Sequence, residues 1–291
     1  MTGDADGGPG AVAGDRALLR AGERVLLIDA KARRYLITLR PGTEFHTHVG
    51  IVAHDDLIGA PEGGTVLGST GRRFVVLRPT LADVVLKMPR GAQVIYPKDL
   101  GAILFEADIG PGMRVLEAGV GSGALSMALV RAGADVVGYE LRPDFAQRAR
   151  SNVVAELGEA ASWRVELRDV YEGIDERQLD RVVLDLPEPW RVLPHAALAM
   201  RPGGILCAYL PNINQTAQLR SALGAGPFGM ARTIEVLQRS WHIEDRSVRP
   251  DHRMVGHTGF ITTARLLVPE VLPVAPEGAP DARTGTGTVR F

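Results

Sequence analysis

The chain has 291 residues, 45% of them hydrophobic and 23% charged, enough apolar content for one large or two modest cores and an ordinary soluble composition. A net charge of −1 excludes a uniformly basic nucleic-acid coat protein, and a single cysteine, Cys207, excludes an internal disulfide framework or a cysteine-rich zinc site. The charge is segregated: residues 16–98 hold 13 basic against 7 acidic residues, 99–200 hold 10 against 17, and 201–291 hold 10 against 7.

In chain order, residues 1–15 are Gly, Asp and Ala without periodicity, and are expected to be a disordered tail. Residues 16–79 carry short β-like signals at 24–29, 34–40, 43–52, 64–67 and 72–77, separated by Pro-Gly, Pro-Glu-Gly-Gly and Ser-Thr-Gly turns. They predict a small N-terminal β domain. A helix is predicted over 80–87 and is broken by Pro89-Arg90-Gly91. From residue 113 strands alternate with helices: strands at 113–117, 135–140, 164–168, 181–185 and 204–210, helices at 124–131, 144–157, 190–200 and 215–223. That alternation predicts a parallel sheet with crossover helices on both faces. Runs at 232–240 and 259–268, with no comparable helix between them, predict an antiparallel pair closing the sheet. Residues 269–291, rich in Pro, Gly, Thr and Ala, read as a second disordered tail. No apolar stretch approaches 18 residues and no basic-then-apolar leader is present, so a cytoplasmic protein without a membrane span is expected.

The segment Glu117-Ala118-Gly119-Val120-Gly121-Ser122-Gly123-Ala124 joins the first parallel strand to a helix. Glycines there let the backbone turn tightly and let a ligand approach. Glu140 ends the next strand, 21 residues after Gly119, where a carboxylate can accept hydrogen bonds from ribose hydroxyls. Gly119, Gly121 and Ala124 satisfy a dinucleotide fingerprint loosely. Glu117, Gly119, Gly121 and Gly123 satisfy the acid-x-Gly-x-Gly-x-Gly loop for S-adenosyl-L-methionine in full, and an acid before the loop suits the cationic methionine end better than a pyrophosphate. Asp169 follows the third strand and can accept from the cofactor's adenine amine, or serve only as a turn residue.

At the acceptor end, Asp185-Leu186-Pro187-Glu188-Pro189-Trp190 closes the fourth strand. Its two prolines stiffen a carboxylate at the mouth of the crevice, although a helix cap before residue 190 is the plainer use of Asp185. Pro97 favours an extended Tyr96 and a helix start behind it. Tyr96 can stack on a base or bridge the two domains. Gly256-His257-Thr258-Gly259-Phe260 is expected as a tight turn that presents His257 and Thr258, unless His257 is structural.

Taken together, Tyr96-Pro97-Lys98-Asp99, the loop from Glu117 to Gly123, Asp185-Leu186-Pro187-Glu188-Pro189 and His257-Thr258-Gly259-Phe260 resemble the tRNA (adenine-58-N1)-methyltransferases of bacteria and archaea, over roughly residues 16–268. The order and spacing of the Tyr-Pro-Lys-Asp and Asp-Leu-Pro-Glu-Pro segments agree with the family, and the long insertion-free hairpin region resembles its actinobacterial type. The resemblance implies an α/β fold: a class I S-adenosylmethionine-dependent methyltransferase domain over 80–268, Rossmann-like with a seven-stranded sheet and a C-terminal antiparallel hairpin, behind a small N-terminal β domain. It implies a homotetramer and a tRNA partner. On this reading Asp185 and Tyr96 are catalytic. The cofactor is held by Gln93, Glu117, Gly119, Val120, Gly121, Ser122, Gly123, Ala124, Leu125, Glu140, Leu141, Phe145, Asp169, Val170 and Asp185. The substrate meets Tyr96, Pro187, His257 and Thr258, no metal is needed, and Arg72, Arg73, Arg78, Arg246, Arg249 and Arg253 are candidate phosphate contacts. The alternative is a methyltransferase of the isoaspartyl type acting on a protein or small molecule.

Overall fold

Past residue 112 the hydrophobic rhythm lengthens from short β runs to alternating strands and helices, and the architecture changes with it. A computed structural model describes residues 18–91, 93–159 and 162–268. Both predicted tails lie outside them. The chain divides into two compact units, Met1–Met88 and Pro89–Phe291. No described helix is long and apolar enough to cross a membrane.

In the first unit, β1 (Arg24–Asp29), β2 (Arg34–Thr38), β3 (Glu44–Thr47), β4 (Gly50–Ala53), β5 (Thr65–Leu67) and β6 (Arg73–Leu77) are all antiparallel. Four of them form one sheet in the order β2-β1-β6-β5, and β3 and β4 form a separate hairpin. The run 43–52, read as one strand, is split here. Gly50 at φ +134° reverses the chain and Thr47 Oγ1 accepts from Val49 N within the turn. The core is aliphatic around Phe74, with Val25, Leu27, Leu39, Val52 and Leu57 fully enclosed. Helix α1 (Leu81–Lys87) starts on a capping box between Thr80 and Asp83, and Asp83 also accepts from Arg34 at 2.8 Å. The sequence reading joined α1 to the second domain, whereas its contacts place it in the first unit.

In the second unit, α2 (Pro97–Glu106), β7 (Arg114–Ala118), α3 (Ala124–Arg131), β8 (Asp135–Glu140), α4 (Pro143–Leu157), β9 (Trp163–Leu167), β10 (Leu179–Leu184), α5 (Leu193–Ala199), β11 (Met200–Leu210), α6 (Ile213–Ala225), β12 (Phe228–Glu235), β13 (Trp241–Glu244), β14 (Ser247–Pro250) and β15 (Phe260–Leu266) follow. Seven strands make one sheet in the order β12-β15-β11-β10-β7-β8-β9. Strands β7 to β11 are parallel, while β15 is antiparallel to both β11 and β12. The seven-stranded α/β expectation with an antiparallel closing pair is met.

Three local expectations are corrected. The helix expected over 190–200 is a 3-10 turn (Pro189–Val192) followed by the short α5, because Pro194 has no N–H to continue the first turn and sits naturally at the start of a new one. Residues 200–203 belong to β11, which is 11 residues long. Between the closing strands lies an unforeseen hairpin, β13–β14, turning at Asp245 with φ +48°. Its alternation was too short to read.

The central strands are apolar on both sides, as a sheet covered by helices requires. Val115, Leu116, Val182, Val183, Leu184, Leu206 and Ala208 are buried almost completely. From β7 the chain passes outward to β8 and β9, then returns to place β10 on the other side of β7. The connections diverge there, and a crevice opens at the carboxyl ends of β7 and β10.

Candidate active site

Strand polarity brings the candidate residues to a single sheet edge. Gly119 follows β7, Glu140 ends β8, Asp169 follows β9 and Asp185 follows β10. Because β15 runs antiparallel, with Phe260 opposite Leu210 and Glu235, His257 and Thr258 arrive at the same edge.

The glycine loop takes its shape from positive φ at Gly119 (+87°), Gly121 (+57°) and Gly123 (+84°). Gly119 is also pressed against β10: a Cβ there would overlap the carbonyl oxygen of Asp185, whose own N–H donates to Ala118 O at 2.9 Å. The turn therefore requires glycine twice over, by conformation and by space.

Three carboxyl groups surround this loop. Glu117 is fully buried, and its Oε2 accepts from Ser126 Oγ at 2.5 Å, while Oε1 has no partner among the described residues. Burial pushes its pKa up to about 8; the Ser126 hydrogen bond opposes this, and the neighbouring charges of Asp185 and Glu140 add to it. Glu140 is buried and accepts from Gly121 N at 2.9 Å and from Arg142 N at 3.0 Å, which ties loop to strand end. Asp185 is half-buried as a residue, but burial of its carboxyl alone pushes the pKa up to about 7. Asp169 Oδ1 accepts from Tyr171 N at 2.9 Å, so the turn role weighed for it is present.

The remaining candidates sit around this group. Val120, Ser122, Ala124, Leu125, Phe145 and Val170 are buried. Ser122 Oγ is a second buried polar atom without a partner. Arg142 lies over the Phe145 ring at 4.1 Å. Leu141 and Gln93 are exposed, and among the described residues no hydrogen bond ties Gln93 to the group. Tyr96 is the half-buried N-cap of α2, and Pro187 is exposed with its carbonyl held by Gln215 at 2.9 Å. His257 places Nδ1 2.6 Å from Glu235 and Nε2 2.7 Å from Pro211 O. Both bonds stabilise the imidazolium, Glu235 most, so the pKa is raised. The tight turn expected around His257 is not formed: neither Gly256 nor Gly259 has positive φ, and Gly259 is instead packed on the Tyr209 ring.

Comparison with known proteins decides the family. The model for the tRNA methyltransferase complex GCD14 subunit matches residues 73–250, and that for the TrmI-like N-terminal region matches 18–66. The tRNA (adenine(58)-N(1))-methyltransferase TrmI of Thermus thermophilus is 42% identical over 250 residues, covering 83% of this chain and 96% of that protein. The chain belongs to the GCD14/TrmI tRNA methyltransferase family. Two solved structures are similar throughout. One, described as a SAM-dependent O-methyltransferase from Thermotoga maritima, has a TM-score of 0.84 and 32% identity, covering 90% of this chain and 99% of that one. The other, the tRNA (m1A58) methyltransferase TrmI of Aquifex aeolicus, has a TM-score of 0.77 and 28% identity, covering 87% and 100%.

In this GCD14/TrmI chain the structure adds residues to which the sequence reading gave no role. Ser126 reads as one polar position in an apolar helical run, yet it is the partner of Glu117. Lys98 and Asp99, quoted only as part of a motif, form a buried ion pair at 2.7 Å. Their signal was two charges in the first turn of a helix that begins on a proline. In the first unit, Arg78 is engaged by Glu62 at 2.7 Å, Glu23 at 2.9 Å and Leu18 O at 2.9 Å. Arg72 and Arg73 are exposed, and with Lys31, Arg33 and His48 they line a cleft of about 180 Å³.

Proposed function

We propose that this protein transfers a methyl group from S-adenosyl-L-methionine to N1 of adenine 58 in the T-loop of tRNA, with Asp185 and Tyr96 at the acceptor. The observation that carries the residue roles is Asp185: a buried carboxyl with no hydrogen-bond partner among the described residues, set across a glycine-lined crevice from two further carboxyl groups. S-adenosylmethionine fits the donor set. It is cationic at sulfur and at its amino group, and the crevice offers Glu117 Oε1 and Ser122 Oγ as buried polar atoms without partners among the described residues. Glu140 retains free lone pairs for ribose hydroxyls, and Asp169 can reach an adenine amine with the oxygen its turn leaves free. Gln93, Val120, Ala124, Leu125, Leu141, Phe145 and Val170 complete the proposed binding set. When bound, the cofactor supplies an electrophilic methyl group.

Adenine N1 has an available lone pair once the base is unpaired, so the residues need not include a strong base. Asp185 accepts from the exocyclic amine and stabilises the positive charge that grows on the ring during transfer. The same contact selects adenine, because a base without the amine leaves a buried carboxylate unpaired. Tyr96 holds the base by stacking. Pro187, His257 and Thr258 bound the acceptor side, where His257, favoured as the cation, spends both its N–H groups on Glu235 and Pro211 O and so holds its segment in place. Arg72 and Arg73, exposed in a basic cleft, suit the phosphate backbone.

The deciding experiment is incubation with unmodified tRNA transcript and labelled cofactor, followed by mapping of the methylated base. Label at N1 of adenine 58 supports the reading, and label elsewhere or none overturns it. The O-methyltransferase description of the Thermotoga structure favours one second reading, methylation of an oxygen on a protein or small molecule. That reading requires turnover without tRNA. A homotetramer is part of the proposal. The β13–β14 hairpin supports assembly, since it exposes Trp241, Ile243 and Val248. A cytoplasmic location follows from the tRNA substrate.

A further inference from the structure

The acceptor side of the crevice is held by a buried polar knot. Lys98 Nζ donates to Asp99 Oδ1 at 2.7 Å, to Val236 O at 2.7 Å and to Thr258 Oγ1 at 2.6 Å. All three ammonium protons are used. Thr258 Oγ1 in turn donates to Asp99 Oδ2 at 2.7 Å, and Tyr209 OH reaches the same oxygen at 3.4 Å. The Asp99 side chain is wholly inaccessible, and that of Lys98 is 8% exposed.

This knot ties the first turn of α2, which is in no sheet, to the end of β12 and to the segment leading into β15, just beyond the last ladder pair of those two strands, Glu235 and Phe260. Its position has consequences on each side. The N–H groups of Asp99 and Leu100 both donate to Tyr96 O at 2.9 Å, so the turn that contains the pair also sets the conformation of Tyr96. Residues 251–259 have no regular secondary structure. Their anchors next to the crevice are side-chain bonds, from His257 to Glu235 and Pro211 and from Thr258 to the knot. Gly259 is closed onto Tyr209, where a Cβ would come within 2.5 Å of the ring. Tyr209 links the knot to the carboxyl groups of the crevice, since burial and the charges of Asp99 and Asp185 all hold its phenol in the protonated form.

A buried ion pair is seldom the most stable way to fill such a space, and apolar residues of similar volume often stabilise as well or better. What the pair provides that apolar residues lack is direction: three donors and two oxygens satisfied in one arrangement only.

Building on the methyltransferase reading above, we propose that the Lys98–Asp99 pair is a positioning device that locks Tyr96 and Thr258 on opposite sides of the adenine, and that it contributes to turnover through Tyr96 rather than through stability or cofactor affinity.

The test replaces the pair with apolar residues, Lys98→Met together with Asp99→Leu, alone and in a Tyr96→Ala background, in the full chain. Thermal midpoint and S-adenosyl-L-homocysteine affinity are measured beside kcat and KM on tRNA transcript. The expected result is a midpoint within a few degrees, homocysteine-cofactor affinity within about two-fold, and kcat lowered about ten-fold or more with KM little changed. In the Tyr96→Ala background the same replacement should lower kcat less than about two-fold, because the losses share a cause. Wild-type kcat in the apolar double variant, or losses that multiply in full, overturns the proposal. Should the double variant fail to fold, Thr258→Val against Thr258→Ser asks the same question: the valine form loses turnover non-additively with Tyr96→Ala and the serine form restores it, and equal turnover in the two overturns the proposal. Failure of the wild-type enzyme to methylate tRNA would instead refute the functional reading on which the proposal rests.

Discussion

Cofactor binding to this crevice should release protons near neutral pH. Burial holds Asp185 at about 7 and Glu117 at about 8, so below pH 6 both are mostly protonated in the ligand-free protein. A cation placed about 6 Å from either group is worth about 2.8 kcal/mol at an effective dielectric of about 20, which lowers the pKa by about two units. The free protein therefore binds more protons than the complex between about pH 5 and 8, and affinity rises with pH there. One proton released in full gives about a ten-fold gain per pH unit, hence about 30-fold over 1.5 units. Titration calorimetry at pH 6 in two buffers of different ionisation enthalpy reads the proton count directly. At pH 9 the count should fall to near zero. Asp185→Asn and Glu117→Gln should each remove part of the release, and S-adenosyl-L-homocysteine, without the sulfonium charge, should release fewer protons than S-adenosylmethionine. The stability of the ligand-free protein should move the opposite way. Both folded pKa values exceed the ordinary values of 3.8 for Asp and 4.5 for Glu, so their contribution is present below those values and is lost as pH rises through about 7 to 8. Buffer-independent heats together with an affinity flat from pH 5.5 to 7 would refute this account of the two carboxyl groups.

Gly119→Ala combines a residue forced to φ +87° with a Cβ overlapping the Asp185 carbonyl, and should cost about 2 kcal/mol or more of stability with loss of measurable cofactor binding, read by thermal shift and titration. Asp185→Ala should keep affinity for S-adenosyl-L-homocysteine, which lacks the sulfonium charge, within a few-fold and lose turnover by about 100-fold or more, whereas Tyr96→Ala should impair tRNA turnover more than cofactor affinity; full activity in either returns that residue to a packing role. Arg72→Glu with Arg73→Glu should weaken tRNA binding and reduce the salt slope by about one to two, leaving cofactor affinity unchanged, as filter binding across salt concentrations will show. Trp241→Glu with Ile243→Glu should lower the oligomeric state seen by light scattering, and an unchanged mass would separate the exposed hairpin from assembly.

The parts of this fold that were legible in the sequence were those written in local chemistry. Apolar runs buried on both faces marked β7, β8, β10 and β11, and a glycine loop behind an acidic strand end marked the crevice. Boundaries failed where a single residue outweighed the pattern: Gly50 divided one strand into two, and Pro194 divided one helix into a 3-10 turn and α5. The acceptor side was legible only as motif. Residues 256–260 suggested a turn because they hold two glycines, yet Gly259 is there for space beside Tyr209, a contact 50 residues away in sequence. Lys98 and Asp99 could not be assigned, because the groups they meet lie 110 to 160 residues further along the chain. No periodicity encodes such a contact.

The uneven distribution of charge along the chain acquires a physical meaning from these positions. The acidic excess of residues 99–200 includes Glu117, Glu140 and Asp185, which crowd one crevice, where the charges of the last two add to the cost of ionising Glu117. In a protein selected for stability alone, such a group would be dispersed or paired with arginine, as Asp108 is paired with Arg181 at 2.7 Å in the same unit. In the crevice no arginine or lysine reaches Glu117 or Asp185 among the described residues, and the only compensation is Ser126 beside Glu117 and the protons that burial retains. A cluster left in that condition is matched to a ligand that brings its own positive charge. Phosphate, which such a cluster repels, has to be met elsewhere, and exposed cations with no ion pair among the described residues, Arg72 and Arg73, stand in the basic first unit. A total near zero is thus compatible with a cationic cofactor and a polyanionic substrate on one chain, provided the two charges are received by different parts of it.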